Sequence, residues 1–93
     1  MPDNLPRQVI REHAFERELR LLIGDVREAD DFVEAAEFIL ARDPESGLPA
    51  YEGAEIWLLP MSPIGNEEVT LSYTFDAKTV WLIGIERFES RDL

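Results

Sequence analysis

The 93-residue chain contains no cysteine, a single histidine and few basic residues. Without cysteine it can form no disulfide, thiolate metal site or cysteine nucleophile. His13 cannot form a histidine-rich metal site alone, and we predict neither a metal site nor a cofactor. No apolar run approaches the roughly 20 residues of a membrane span, and the N-terminus lacks a signal-peptide pattern. These absences favour a soluble, cytoplasmic protein with no membrane association.

Acidic residues outnumber basic ones by twenty to nine, which gives a net charge of −11. The excess is concentrated in residues 25–60, where two arginines and ten acidic residues leave a net charge of −8. Because phosphate contacts require cations, general nucleic-acid binding is disfavoured. With 45% hydrophobic residues, the chain has enough apolar material for one modest core. We therefore predict a single domain, residues 1–93, with flexible tails at 1–7 and 89–93.

The N-terminal half has the apolar spacing of two helices, preceded by a short strand at Val9-Ile10. The stripe of the first helix comprises Phe15, Leu19, Leu22 and Val26, and Gly24-Asp25 is expected to end that helix. A second helix is predicted to begin near Asp30 and Asp31, as N-caps or first-turn acids, and to end before Pro44. Its stripe comprises Phe32, Ala36, Ile39 and Leu40, widened by Val33 and Ala35. Residues 42–55, rich in proline and glycine, are predicted to form a loop.

In the C-terminal half the hydrophobic period changes to that of β-strands. Residues 55–59 form a short apolar run closed by Pro60, and residues 69–75 alternate strictly between apolar and polar side chains. Residues 79–85 are apolar on both sides, as in a central strand. The fold class is therefore α+β: a short strand, then two helices packed on an antiparallel sheet, in the order β-α-α-β-β-β.

The order and spacing of these segments resemble the RelE/ParE superfamily of bacterial type II toxin–antitoxin toxins. The resemblance covers about residues 8–88 and rests on HAFEREL (13–19), ARDPESG (41–47), GAEIWLLP (53–60), VTLSYTFD (69–76) and VWLIGI (80–85). It implies a compact sheet with two helices on one side and a cognate antitoxin as partner. It also implies one of two activities, ribosome-dependent mRNA cleavage or inhibition of DNA gyrase.

The nuclease pattern of this superfamily is only partly present. Nucleolytic members carry a basic residue three positions before the tyrosine of the middle strand, and an arginine at the end of the last strand. Tyr73 matches that tyrosine, but Thr70 occupies the basic position. Arg87 matches the arginine and is the candidate catalytic residue, although Glu86 precedes it where some members have histidine. The resemblance leaves open whether the chain is an enzyme.

Two other cations, Lys78 and Arg91, are candidate substrate or phosphate contacts. Lys78 and Arg87 also have simpler interpretations: Lys78 suits a hairpin turn, and Arg87 suits a solvated strand end paired with a neighbouring carboxylate. Three hypotheses follow. The chain is a toxin acting on the ribosome or gyrase, a catalytically degenerate protein-binding module of the same fold, or a housekeeping domain of unrelated function.

The central acidic block is a candidate docking surface for a basic partner segment. The candidate partner-binding residues are Trp57, Asp30, Asp31, Glu34 and Glu37. The alternative is that the carboxylates form the ordinary solvated side of a helix and that Trp57 belongs to the core. Both a monomer and a homodimer are compatible with the exposed strand edges expected of this fold.

Overall fold

Two helices lie on one face of a five-stranded sheet in the computed structural model of the chain, which describes residues 5–61 and 67–89. Helix α1 spans His13–Leu22, helix α2 spans Val26–Arg42, and a 3₁₀ turn follows at Pro44–Ser46. The strands are β1 (Gln8–Arg11), β2 (Leu48–Pro49), β3 (Trp57–Pro60), β4 (Glu67–Phe75) and β5 (Thr79–Glu89). The predicted α+β class and the β-α-α-β-β-β order are confirmed.

The strands are arranged in the order β1-β5-β4-β3-β2. Strands β3, β4 and β5 are antiparallel neighbours, as predicted. Strand β1 joins the sheet parallel to β5, so the sheet is mixed. Strand β2 pairs with β3 at the opposite edge, which corrects the prediction of an unstructured loop over residues 42–55. Strand β5 also continues to Glu89, beyond the apolar run of residues 79–85 from which it was predicted.

The second helix begins earlier in the chain than predicted. Helix α2 begins at Val26, and the Asp25 carboxylate accepts a hydrogen bond from the Glu28 backbone N–H at 2.9 Å. Asp30 and Asp31 therefore lie within the helix. Val26 is 55% exposed at the first position of α2 and does not extend the apolar stripe of α1. The predicted end is right, since Asp43 leaves the helical conformation before Pro44.

The core fills the space between the two helices and the sheet face below them. Helix α1 contributes Phe15 and Leu19, and helix α2 contributes Val33, Ala36 and Leu40, all at most 1% exposed. The sheet contributes the equally buried Val69, Leu71, Tyr73, Val80 and Leu82. Ile39, placed on the predicted stripe of α2, is 44% exposed instead. In the described part of the chain, no helix is long and apolar enough to span a membrane.

Candidate functional site

The sheet has one face covered by the helices and one that they leave uncovered, here called the open face. Side chains alternate between these faces along each strand. On β4, Val69, Leu71 and Tyr73 are buried under the helices, so Thr70, Ser72 and Thr74 lie on the open face, each half-buried. Strand pairing then assigns residues of the neighbouring strands to one face or the other.

A mostly apolar tract crosses the open face from edge to edge. Trp81 of β5 pairs with Thr74 of β4 on one side and with Ile10 of β1 on the other, and Trp81 and Ile10 are both half-buried. Towards the other edge, Ser72 pairs with Leu58, which pairs with Leu48. Ile56 immediately precedes β3, and its carbonyl oxygen accepts a hydrogen bond from the Ala50 N–H at 2.8 Å. The pairing of β2 with β3 thus extends to Ile56, which alternation places on the same face as Leu58. Leu48 is 65% exposed and Ile56 is 43% exposed.

The open face carries no lysine or arginine in the described ranges. Thr70, at the position where nucleolytic superfamily members have a basic residue, lies opposite Glu86 on β5. Stabilising the charge that develops on a phosphate during RNA cleavage requires cations at the reacting group. Among the described residues, the open face offers hydroxyl groups, apolar side chains and the Glu86 carboxylate.

Arg87 lies on the helix-covered face. It pairs with the buried Val69, and together with Ile85, Leu21 and Leu22 it lines a groove of about 260 Å³ beside α1. Glu18 closes part of that groove: its carboxylate accepts a hydrogen bond from the Ile85 backbone N–H at 3.1 Å. Arg87 is thus separated by the sheet itself from the open face that carries Thr70 and Glu86.

The structure separates the two predicted cations that it describes, Lys78 and Arg87. Lys78 lies in the turn between β4 and β5, whereas Arg87 is near the other end of β5, about 30 Å away at 3.3 Å per residue. Arg91 lies outside the described residues. The turn itself is held by Asp76, whose carboxylate accepts the backbone N–H groups of Lys78 and Thr79, both at 2.8 Å. These two hydrogen bonds lower the pKa of Asp76.

Tyr73 is a fully buried structural residue. Its hydroxyl donates a hydrogen bond to the Pro44 carbonyl oxygen at 2.5 Å and accepts one from the Gly47 N–H at 3.2 Å. Burial raises the pKa of the Tyr73 phenol, because the ionised form would lose its solvation. The hydroxyl therefore fixes the segment after α2 against the sheet and is not accessible to a substrate.

Two of the four candidate partner-binding carboxylates on α2 bind a cation of the same chain. The guanidinium of Arg11 on β1 donates to both carboxylate oxygens of Glu37, at 2.8 and 3.2 Å, and to Asp30 at 3.1 Å. Hydrogen bonding to Glu37 raises the pKa of Arg11 further above its ordinary value. Asp31 and Glu34 remain exposed to solvent. The acidic charge available on α2 is therefore smaller than the sequence suggested.

The two tryptophans lie on opposite faces of the sheet. Trp57, a candidate partner-binding residue, pairs with Tyr73 and meets Phe75 edge to face at 5.5 Å between ring centres, so it packs against the core. Trp81 lies on the open face, where sequence analysis proposed no site. Its pairing with Thr74 of β4 places it there, and the sequence of β5, apolar on both sides, carries no signal that distinguishes its two faces.

Among the described residues, no group of three or more histidine or acidic side chains is arranged to hold a metal ion. No protein-family model and no curated protein matches the chain. The structure is similar to a chain in the crystal structure of the toxin–antitoxin complex RelBE2 from Mycobacterium tuberculosis. The TM-score is 0.67 at 23% sequence identity, and the match covers 95% of this chain and 98% of the other. The chain therefore has a RelE-like toxin fold.

Proposed function

We propose that this chain is the toxin-like component of a type II toxin–antitoxin system and that it acts by binding proteins, without cleaving RNA. The toxin-like part of the proposal is supported by the match to a chain of the RelBE2 complex over almost its full length. A cognate antitoxin is accordingly the proposed partner. The proposed location is the cytoplasm, where the ribosome and gyrase are found.

The observation that carries the second part is the absence of cations from the open face in the described ranges. Thr70 and Glu86 occupy that face, and Arg87 lies on the other side of the sheet. A net charge of −11 adds a general repulsion from ribosomal RNA. Both effects favour a protein target, as in the gyrase-inhibiting branch of the superfamily, over an RNA target.

Induced expression in a bacterial host tests this proposal, with growth followed in parallel with primer-extension mapping of ribosome-bound mRNA. We expect growth arrest without discrete mRNA cuts, and an Arg87→Ala variant that arrests growth as the original chain does. Co-expression of the protein encoded beside this chain should restore growth and co-purify with it.

Discrete cuts that disappear in the Arg87→Ala variant would overturn the protein-binding proposal and identify a nuclease. Unimpaired growth, with soluble chain confirmed in the lysate, would contradict toxicity. If the neighbouring protein still co-purified, that result would favour the catalytically degenerate binding module of the same fold.

A further inference from the structure

We propose that the open face is a docking surface for an amphipathic helix of a partner protein, with apolar residues on one side and lysine or arginine on its flanks. This inference rests on the proposed function, in that it assumes action through protein contacts, and it specifies the chemistry of the partner. The docking surface comprises Ile10, Leu48, Ile56, Leu58, Thr74 and Trp81.

This surface is apolar and accessible to solvent within the described residues. The core is formed by the helices and the opposite face of the sheet, and none of these six side chains belongs to it. Leu48 and Ile56 are 65% and 43% exposed. Exposed apolar side chains in one continuous patch are typical of interaction sites.

A segment bound on this surface would contact side chains and would not add to the sheet as a further strand. Where the tract crosses them, the three middle strands are paired on both edges, so their backbone groups are bonded within the sheet; this holds for residues 80–82 of β5, 70–73 of β4 and 57–58 of β3. The tract from β1 to β2 crosses four strand spacings, about 19 Å at 4.8 Å each. A helix of about 13 residues has that length at 1.5 Å per residue.

The negative charge around this surface favours a cationic partner. No lysine or arginine occurs between Arg42 and Lys78, a stretch that forms β2, β3 and β4. The acidic residues of that stretch are Asp43, Glu45, Glu52, Glu55, Glu67, Glu68 and Asp76. Glu52 and Glu55 are exposed in the β2–β3 connection, and the exposed Glu86 lies on the open face itself. An acidic segment would be repelled here, whereas lysine or arginine on the flanks of a helix would be attracted.

The two tryptophans provide an internal control for the test. A synthetic 14-residue peptide of leucine and lysine, with leucine at i, i+3, i+4 and i+7, is titrated into the ¹⁵N-labelled chain. The two indole N–H signals are assigned with a Trp81→Phe variant. We expect the Trp81 signal to shift and saturate while the Trp57 signal, from the helix-covered face, stays in place. Binding should weaken as salt is raised.

Matched peptides and variants separate apolar docking from simple charge attraction. A peptide with glutamine in place of leucine keeps the charge and should not shift the Trp81 signal; a peptide with glutamate in place of lysine should not bind. Ile56→Lys or Leu48→Lys should weaken binding of the leucine–lysine peptide about tenfold, as expected for losing one buried aliphatic contact. Leu21→Lys, on α1 and 80% exposed, should leave the affinity within about twofold.

Equal Trp81 shifts with the glutamine–lysine peptide, shifts confined to α1 and α2, or no binding of the leucine–lysine peptide would each overturn the docking surface. The two proposals fail separately. Discrete mRNA cuts overturn the proposed function, whereas peptide contacts limited to the helical layer overturn only the docking surface.

Discussion

Replacing Tyr73 with phenylalanine removes one buried hydroxyl group and is expected to lower the free energy of unfolding substantially. The ring stays in place, but the Pro44 carbonyl and the Gly47 N–H lose their shared partner. A hydrogen bond contributes about 0.5–1.5 kcal/mol net, and a buried group left unpaired costs about 1–3 kcal/mol. For two bonds made by one hydroxyl, we expect a total loss of about 2–3 kcal/mol. That is a large part of the roughly 5–14 kcal/mol available to a domain of this size.

Urea denaturation of the chain and of the Tyr73→Phe variant measures this loss directly. The midpoint should fall while the dependence on urea concentration stays the same, because both chains expose the same surface on unfolding. The melting temperature should drop by roughly 10–20 °C. A variant within about 0.5 kcal/mol of the original chain would refute the structural role of the hydroxyl.

The pH dependence provides a second check on Tyr73. Its pKa is raised by burial in the folded chain, whereas in the unfolded chain a tyrosine ionises near pH 10. The stability that follows from keeping the phenol neutral is therefore complete below about pH 10 and is lost as the pH rises through the raised pKa. The phenylalanine variant lacks this part of the alkaline destabilisation. Equal slopes for the two chains above pH 10 would contradict the assignment.

Two further substitutions test the close packing of Gly47 against Tyr73 and the ion pairs of Arg11 with α2. Gly47→Ala should cost about 1–3 kcal/mol in urea denaturation, because the added methyl group would lie too close to the Leu58 carbonyl oxygen and 2.6 Å from the Tyr73 hydroxyl oxygen. Gly24→Ala, where nothing lies within 4 Å, is the control and should not destabilise. Arg11→Met should cost about 1–2 kcal/mol at low salt, since its carboxylate partners lose their cation, and less at 1 M salt. An Arg11 effect independent of salt would contradict the electrostatic explanation.

The elements predicted correctly from the sequence are those in which a single face is buried. Strand β4 alternates strictly, and its apolar residues Val69 and Leu71 are the ones buried under the helices. Helix α1 shows its buried residues Phe15 and Leu19 at helical spacing. A pattern of this kind fixes both the type of element and the side that faces the core. The α+β class could therefore be predicted from such patterns, whereas the RelE-like arrangement was implied by the resemblance of the quoted segments to that superfamily.

The elements that were missed have no such pattern of their own. Strand β2 is only Leu48–Pro49, both exposed, and it exists because β3 offers an edge to pair with. The start of α2 was misplaced because Asp25 and Asp30 are both acceptable capping residues by type. The choice between them depends on where α1 ends. Helix α1 ends at Leu22, close to the break expected at Gly24-Asp25, and α2 begins almost at once with Asp25 as its N-cap.

Strand β5 shows why the candidate site was harder to predict than the fold. The strand is apolar on both sides, so alternation alone does not assign its residues to faces. If side chains alternated without interruption along β5, Trp81 and Arg87 would lie on the same face of the sheet. The structure contains an irregularity: Tyr73 pairs with Leu82 but Ser72 pairs with Gly84, which leaves one extra residue in β5. Before that point the even-numbered residues of β5 face the helices, and beyond it the odd-numbered residues do.

The extra residue places Trp81 on the open face and Arg87 on the helix-covered one. Arg87 thus matches the superfamily arginine by sequence position, whereas its side chain lies on the side of the sheet away from Thr70 and Glu86. A nuclease site requires its cations on one face, within reach of the same phosphate. Since β4 supplies Thr70 and β5 supplies Glu86, neither strand gives the open face a cation in the described ranges. This arrangement supports the proposal that the tract around Trp81 binds a protein.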